Sequence, residues 1–209
     1  MQVLCQLSYS PGATAVYQCA RLRPPDLRPW FAHRSRAHHR PMSEPVVTSE
    51  AVSDDVADLQ GFFWEAWREA GPDAPGWIGA SDAVMSELTS QEAILSRMGG
   101  PDRRMFVARH DGDVVGFSAT RRIDAAGVEL AGVVVLQSVI GRGVGGALLA
   151  AAMAGMRADG FEHVVVRTEV DNTRARTFYE RHGFVESDEM VDRVQGVDVD
   201  LVELRLDLT

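Results

Sequence analysis

The alternation of apolar and polar positions divides the chain into a featureless start and a long patterned body. From Val46 onward the pattern predicts a short strand at Val46–Thr48. A helix follows, in which Val56, Leu59, Phe63 and Trp67 recur at helical spacing behind a capping Ser53. Gly71-Pro72 stops it. After a loop containing Pro75, Gly76 and Trp77, Ser81 or Asp82 caps a second helix carrying Val84, Leu88, Leu95 and Met98, which ends at Gly99-Gly100-Pro101. The period then shortens to that of strands. Arg104–Arg109 and Val114–Ala119 flank Asp111-Gly112, a hairpin signal. Val128–Gln137 is the next strand, after a loop at Asp124–Gly127. Gly143–Ala158 is a helix of small residues closed by Gly160. His163–Val170 is a strand, apolar on both faces over Val164–Val166, as a central strand is. Asn172–His182 is a helix closed by Gly183, and Phe184–Glu186 with Val199–Leu206 form a last pair of strands. This order predicts an α/β domain: a mixed, mostly antiparallel sheet of six to seven strands, with about four helices on both faces.

Residues 1–42 show no such period. Five prolines interrupt them, and Arg and His are scattered from Arg21 to Arg40. They read as a basic disordered leader, or as sequence upstream of a start at Met42, ahead of a domain spanning residues 43–209. Charge sharpens this division. All 21 basic residues are Arg. The leader has six Arg against Asp26 alone, and the domain has 15 Arg against 29 acids, a balance of −14. A domain this acidic opposes nucleic-acid phosphates and favours a cationic substrate such as an amine. Lacking Lys, it has no Schiff-base nucleophile. Both cysteines, Cys5 and Cys19, lie in the leader, so the domain has no cysteine chemistry. No run reaches the roughly 20 apolar residues of a membrane helix, and no spacing suggests a metal site. A cytoplasmic protein is the expectation.

The sharpest chemical signal is Gly141-Arg142-Gly143-Val144-Gly145-Gly146, between a strand and a helix. Glycines there admit an anion to the backbone N–H groups, and the helix end adds unpaired donors and a positive dipole end. The implied ligand is a pyrophosphate. Gly141, Gly143 and Gly146 also satisfy the dinucleotide pattern, with Glu169 near its ribose-binding position. Only about 60 residues follow, too few for the further strand–helix units of that fold.

The segment Val135-Leu136-Gln137-Ser138-Val139-Ile140-Gly141-Arg142-Gly143-Val144-Gly145-Gly146-Ala147-Leu148-Leu149 resembles motif A of the GNAT acyl-CoA N-acyltransferases, V-x-P-x-x-R-G-x-G-I-G-x-x-L-L. Asn172, Ala175, Phe178, Tyr179, Glu180, Gly183 and Phe184 resemble motif B in order and spacing. Gln137 replaces a common Pro, and Ile140 stands where Arg or Gln is expected, a charge that Arg142 could supply. The resemblance implies acetyl-CoA as co-substrate, with no metal. The backbone of Val135, Leu136 and Gln137 would meet the pantetheine arm, and Gly141, Arg142, Gly143, Val144, Gly145 and Gly146 the pyrophosphate. Asn172 would contact the arm, and Tyr179 would sit by the thioester sulfur as general acid. Glu129, on the strand leading to the loop, is the candidate base, with a water relay as its alternative. The expected reaction is acetylation of a primary amine on a small molecule or peptide. A non-catalytic acyl-CoA-binding module is the alternative, and an NAD-dependent oxidoreductase the outsider. Nucleic acid and membrane are not expected partners; a homodimer is possible for such folds.

Overall fold

The computed structural model of the chain describes residues 2–3, 45–71, 74–77, 80–98, 100–194 and 196–208. The expectation of a disordered leader falls almost wholly outside them. Eight strands are present among the described residues: β1 (Gln2–Val3), β2 (Val47–Glu50), β3 (Arg103–His110), β4 (Asp113–Arg122), β5 (Gly127–Val135), β6 (His163–Glu169), β7 (Val185–Val194) and β8 (Val197–Asp207). The five α-helices are α1 (Val56–Ala70), α2 (Asp82–Leu88), α3 (Gln91–Met98), α4 (Val144–Ala158) and α5 (Thr173–Arg181). The sheet runs β2-β3-β4-β5-β6-β8-β7, with β1 attached to β5. Its pairs are antiparallel except β5–β6, whose parallel run needs the crossover that α4 supplies.

The two faces of the sheet are set by β4. Phe117 packs edge-on against Phe63 of α1, with ring centroids 4.9 Å apart. Its neighbour Gly116 points the other way: a Cβ there would lie 2.8 Å from Leu148 of α4. Helix α1 therefore covers one face and α4 the other, and glycine lets α4 approach closely. Leu59, Phe63, Met85, Ile94, Leu130, Leu148, Val164 and Leu204 are wholly buried between these layers. Asp111-Gly112 makes the β3–β4 turn with φ of 51° and 86°, the positive pair that a tight two-residue hairpin requires.

Three elements differ from the sequence reading. The second helix is two. Thr89 returns its hydroxyl to the Met85 carbonyl at 2.7 Å, and Ser90 caps the next helix through Ala93 N–H at 3.2 Å. Local side-chain bonds of this kind compete with a continuous helix. At the start of α1, a short 3-10 turn at Ser53–Asp55 precedes the helix, and the Asp55 carboxylate, not Ser53, accepts a bond there, from Val52 N–H at 2.7 Å. Strand β7 extends to Val194 although its side chains are mostly exposed. Pairing with β8 from Val185 to Val194 holds it, so apolar alternation never marked it. Among the described residues no helix is long and apolar enough to cross a membrane.

Candidate active site

The site begins where two parallel strands part. β5 pairs with β6 only from Gly127↔His163 to Leu130↔Val166. β5 then continues along β4 as far as Val135↔Gly116, while β6 continues along β8 as far as Glu169↔Leu201. The register shift against β4 at Ala119/Thr120 falls where β5 turns away, and Gly132 there takes φ of 136°, a conformation that disfavours side chains. The Val133–Val135 edge is thus released from β6. In the structure Gln2 and Val3 pair with Val135 and Val134, so this edge accepts an extended segment. Leu136 N–H is bonded to Val115 O at 3.0 Å, and Gln137 N–H to Glu69 Oε2 at 2.8 Å. Their amides serve the fold; the edge that β1 occupies is the stretch before them. β5 also ends at Val135, two residues earlier than expected, and Gln137–Val139 forms a 3-10 turn.

Beyond that turn the glycines form a cradle. Gly141 and Gly143 have φ of 75° and 81°, and a Cβ at either would meet nothing within 4 Å. Both backbones face open space in a conformation that only glycine adopts without strain. Gly143 is the N-cap of α4, and the first bond closing the helix runs from Ala147 N–H to Gly143 O at 3.0 Å. A cavity of about 520 Å³ lies against this helix end. Val135, Ile140, Gly141, Gly143, Val144, Gly145 and Gly146 line one side. Arg174, Thr177, Phe178, Arg181 and His182 of α5 line the other. The positive charge comes from α5. Arg142 is exposed and does not line the cavity, whereas Arg174 and Arg181 do. The sequence reading missed both, although their spacing of seven residues, two turns on an already singled-out helix, was the available signal. Backbone donors facing two guanidiniums across a cavity suit a pyrophosphate. Ile140 stands at this wall, with no charge of its own.

Asn172 caps α5, its Oδ1 accepting from Ala175 N–H at 3.1 Å, while its Nδ2 donates to Glu169 Oε2 at 3.5 Å. Tyr179 is completely buried on the same helix, its ring 5.2 Å from Phe178 and 5.4 Å from Phe184. Phe178 comes within 3.4 Å of where a Gly145 Cβ would be, which sets α5 against the cradle.

Glu129 is held differently. It is 1% exposed and pairs across the strands with Arg121, which contacts Oε2 through two guanidinium nitrogens. Arg167 Nη1 lies 3.5 Å from its other oxygen and also pairs with Glu203 at 2.8 Å. Arg121 shares the α1 face with Phe117 by strand alternation, so Glu129 lies on that face and the glycine cradle on the other. A carboxylate gripped by two guanidiniums is poorly placed to abstract a proton. Among the described residues no group of His, Cys, Asp and Glu is arranged to hold a metal ion.

Comparison with known proteins gives a consistent picture. No curated protein sequence matches the chain. Several hundred solved chains share its fold. One is the ribosomal-protein-S18-alanine N-acetyltransferase of Escherichia coli, 16% identical, covering 79% of this chain and 95% of that one, with a TM-score of 0.60. PaiA N-acetyltransferase of Thermoplasma acidophilum, in complex with coenzyme A, is 20% identical, covering 77% and 98%, with a TM-score of 0.60. YncA of Salmonella typhimurium, with its cofactor acetyl-CoA, is 20% identical, covering 79% and 95%, with a TM-score of 0.60. The profile of the acetyltransferase (GNAT) family matches residues 56–184, more than half the chain, from the start of α1 through motif B. The chain belongs to the GNAT acetyltransferase family.

Proposed function

We propose that this chain transfers the acetyl group of acetyl-CoA to a primary amine on a small molecule or peptide. The parting of β5 from β6 beside the glycine cradle carries this reading. It offers an extended backbone edge for an arm that itself hydrogen-bonds like a peptide, continuous with an anion site at its far end. Coenzyme A has this shape, a pyrophosphate joined to an amide-containing arm, and the solved relatives bound to coenzyme A and acetyl-CoA support the assignment. When bound, acetyl-CoA supplies a thioester carbonyl open to attack by an amine.

The residues then divide by role. Gly141, Gly143, Gly145 and Gly146 give backbone access to the pyrophosphate, and Arg174 and Arg181 neutralise it. The Val133–Val135 edge holds the arm. Tyr179 gives its phenolic proton to the departing sulfur. Its burial lowers the surrounding dielectric, which strengthens a hydrogen bond to a developing thiolate. The amine must be neutral when it attacks, and alkyl amines lose their proton near pH ~10.4, so a relay is needed at neutral pH. Because Glu129 is committed to Arg121 and Arg167, we assign that relay to water and give Glu129 a structural part in the floor of the site.

Ile140 at the cavity wall favours one second reading, a module that binds acyl-CoA without turnover. Thiol release separates the two. Acetyl-CoA with a panel of primary amines should yield free thiol in proportion to acetylated amine. Binding of acetyl-CoA with no amine-dependent thiol release would leave only the binding module.

A further inference from the structure

Three carboxylates are buried among the described residues: Asp55, Glu129 and Glu169. Asp55 pairs with Arg109, and Glu129 with Arg121 and Arg167. Glu169, 2% exposed, has no cationic partner among the described residues. Its Oε1 accepts from Gly76 N–H at 2.5 Å, and its Oε2 from Thr168 Oγ1 at 3.3 Å and Asn172 Nδ2 at 3.5 Å. These donors are all neutral. Removing a carboxylate from water without a counter-charge is costly, and neutral hydrogen bonds offset only part of the cost.

Its place in the fold gives this cost a use. Along β6, Val165, Arg167 and Glu169 share one face by strand alternation. Arg167 reaches Glu129, so this is the α1 face, opposite the glycine cradle. β6 loses β5 after Val166, and Glu169 lies three residues further on, at the lip of the parting. The turn between α1 and α2 is tied down over this lip through Gly76. The indole N–H groups of Trp67, in the last turn of α1, and of Trp77, next to Gly76, are buried and have no hydrogen-bond partner among the described residues. Trp67 is 9% exposed and Trp77 3%. Buried donors without partners are rare and call for an acceptor.

We infer that Glu169 is the acceptor-recognition residue, pairing with the ammonium of the incoming amine, and that Trp77 donates to an oxygen on the same molecule. This rests on reading the chain as an amine acetyltransferase. It deepens that reading by naming the acceptor class: a primary amine that also carries a hydrogen-bonding oxygen, such as an amino-acid amide, an amino alcohol or a peptide amino terminus, rather than an alkyl amine or polyamine. The ammonium satisfies the buried charge on arrival and passes its proton to the water relay only after docking.

The test uses the full chain, acetyl-CoA, and alaninamide, ethanolamine, n-propylamine and putrescine as probes. Thermal stabilisation by acetyl-CoA is measured alongside thiol release. Parent protein should prefer alaninamide and ethanolamine. Glu169→Gln, which keeps an acceptor oxygen for Gly76 N–H, should raise the amine KM about tenfold or more, the usual scale for losing one charge-assisted contact. The KM for acetyl-CoA should stay within about twofold of the parent, and Glu169→Asp should recover part of the loss. Trp77→Phe should erode the preference for alaninamide over n-propylamine. A Glu169→Gln variant with an unchanged amine KM, or with both KM values raised together, overturns the assignment and leaves Glu169 as a staple for the turn. Parent protein that is stabilised by acetyl-CoA but acetylates none of the probes overturns the acceptor class alone. Parent protein not stabilised by acetyl-CoA defeats the proposed function and this inference together.

Discussion

Single side chains divide here by the chemistry their surroundings allow. Tyr179 is wholly buried with its ring packed between Phe178 and Phe184, and the proposed reaction uses its hydroxyl as the proton donor. Tyr179→Phe removes only that hydroxyl from a packed ring. It should lower kcat by about 10²–10⁴, the range for general acid catalysis, while thermal stabilisation by acetyl-CoA persists. Glu129 makes the opposite prediction. Glu129→Gln leaves Arg121 and Arg167 facing a neutral amide, so the melting temperature should fall while the pH dependence of kcat/KM keeps its shape. Loss of the acidic limb of that profile would restore Glu129 as the base. The carboxyl of Asp124 is held below its ordinary range by backbone N–H bonds from Ala126 and Gly127. A depressed carboxyl stabilises the fold above its unfolded range and loses that effect as pH falls through the folded value. Asp124→Ala should therefore lower the melting temperature at neutral pH, and its deficit should vanish only in strong acid.

At the scale of elements, the glycine loop and α5 line one cavity, the proposed anion site, from two segments about 30 residues apart. Gly143→Ala forces a Cβ into a left-handed N-cap, a strain of about 1–2 kcal/mol, and should weaken both the fold and coenzyme A binding. Arg174→Ala with Arg181→Ala should raise the KM for acetyl-CoA, increasingly so at low salt, because the lost interaction is electrostatic. The glycine loop was legible in the sequence because only backbone access explains glycine at a helix start. Its cationic partners were not. Arg142 is adjacent in the chain and drew the assignment, but its position in the loop turns it to solvent, while α5 brings Arg174 and Arg181 across the cavity. The split between α2 and α3 was hidden for a similar reason, since Thr89 and Ser90 act through local side-chain bonds that an apolar period does not register. β7 escaped because an exposed edge strand owes its existence to its partner β8, not to its own residues.

In the proposed reaction the molecule as a whole uses its two faces separately. The cradle and α5 arginines lie on the α4 face, and Glu129 and Glu169 lie on the α1 face. The two substrates can then enter from opposite sides of the sheet and meet at the one place where it opens. Sequence showed the order of the elements and the motif that starts α4; it could not show this separation, which depends on the register of β4 against β5 and on where β5 leaves β6. The excess of acids over arginines in residues 43–209 adds long-range attraction for a cationic acceptor, which should weaken as ionic strength rises. The central claim is that the opened sheet and its cradle form an acetyl-CoA site. The most direct measurement is the melting temperature of the chain with acetyl-CoA, coenzyme A, NAD or no ligand. Binding at one hundred times Kd adds about 2.7 kcal/mol of stability. The account predicts a rise with both coenzyme A species and none with NAD; no rise with either, or a rise with NAD alone, would contradict it.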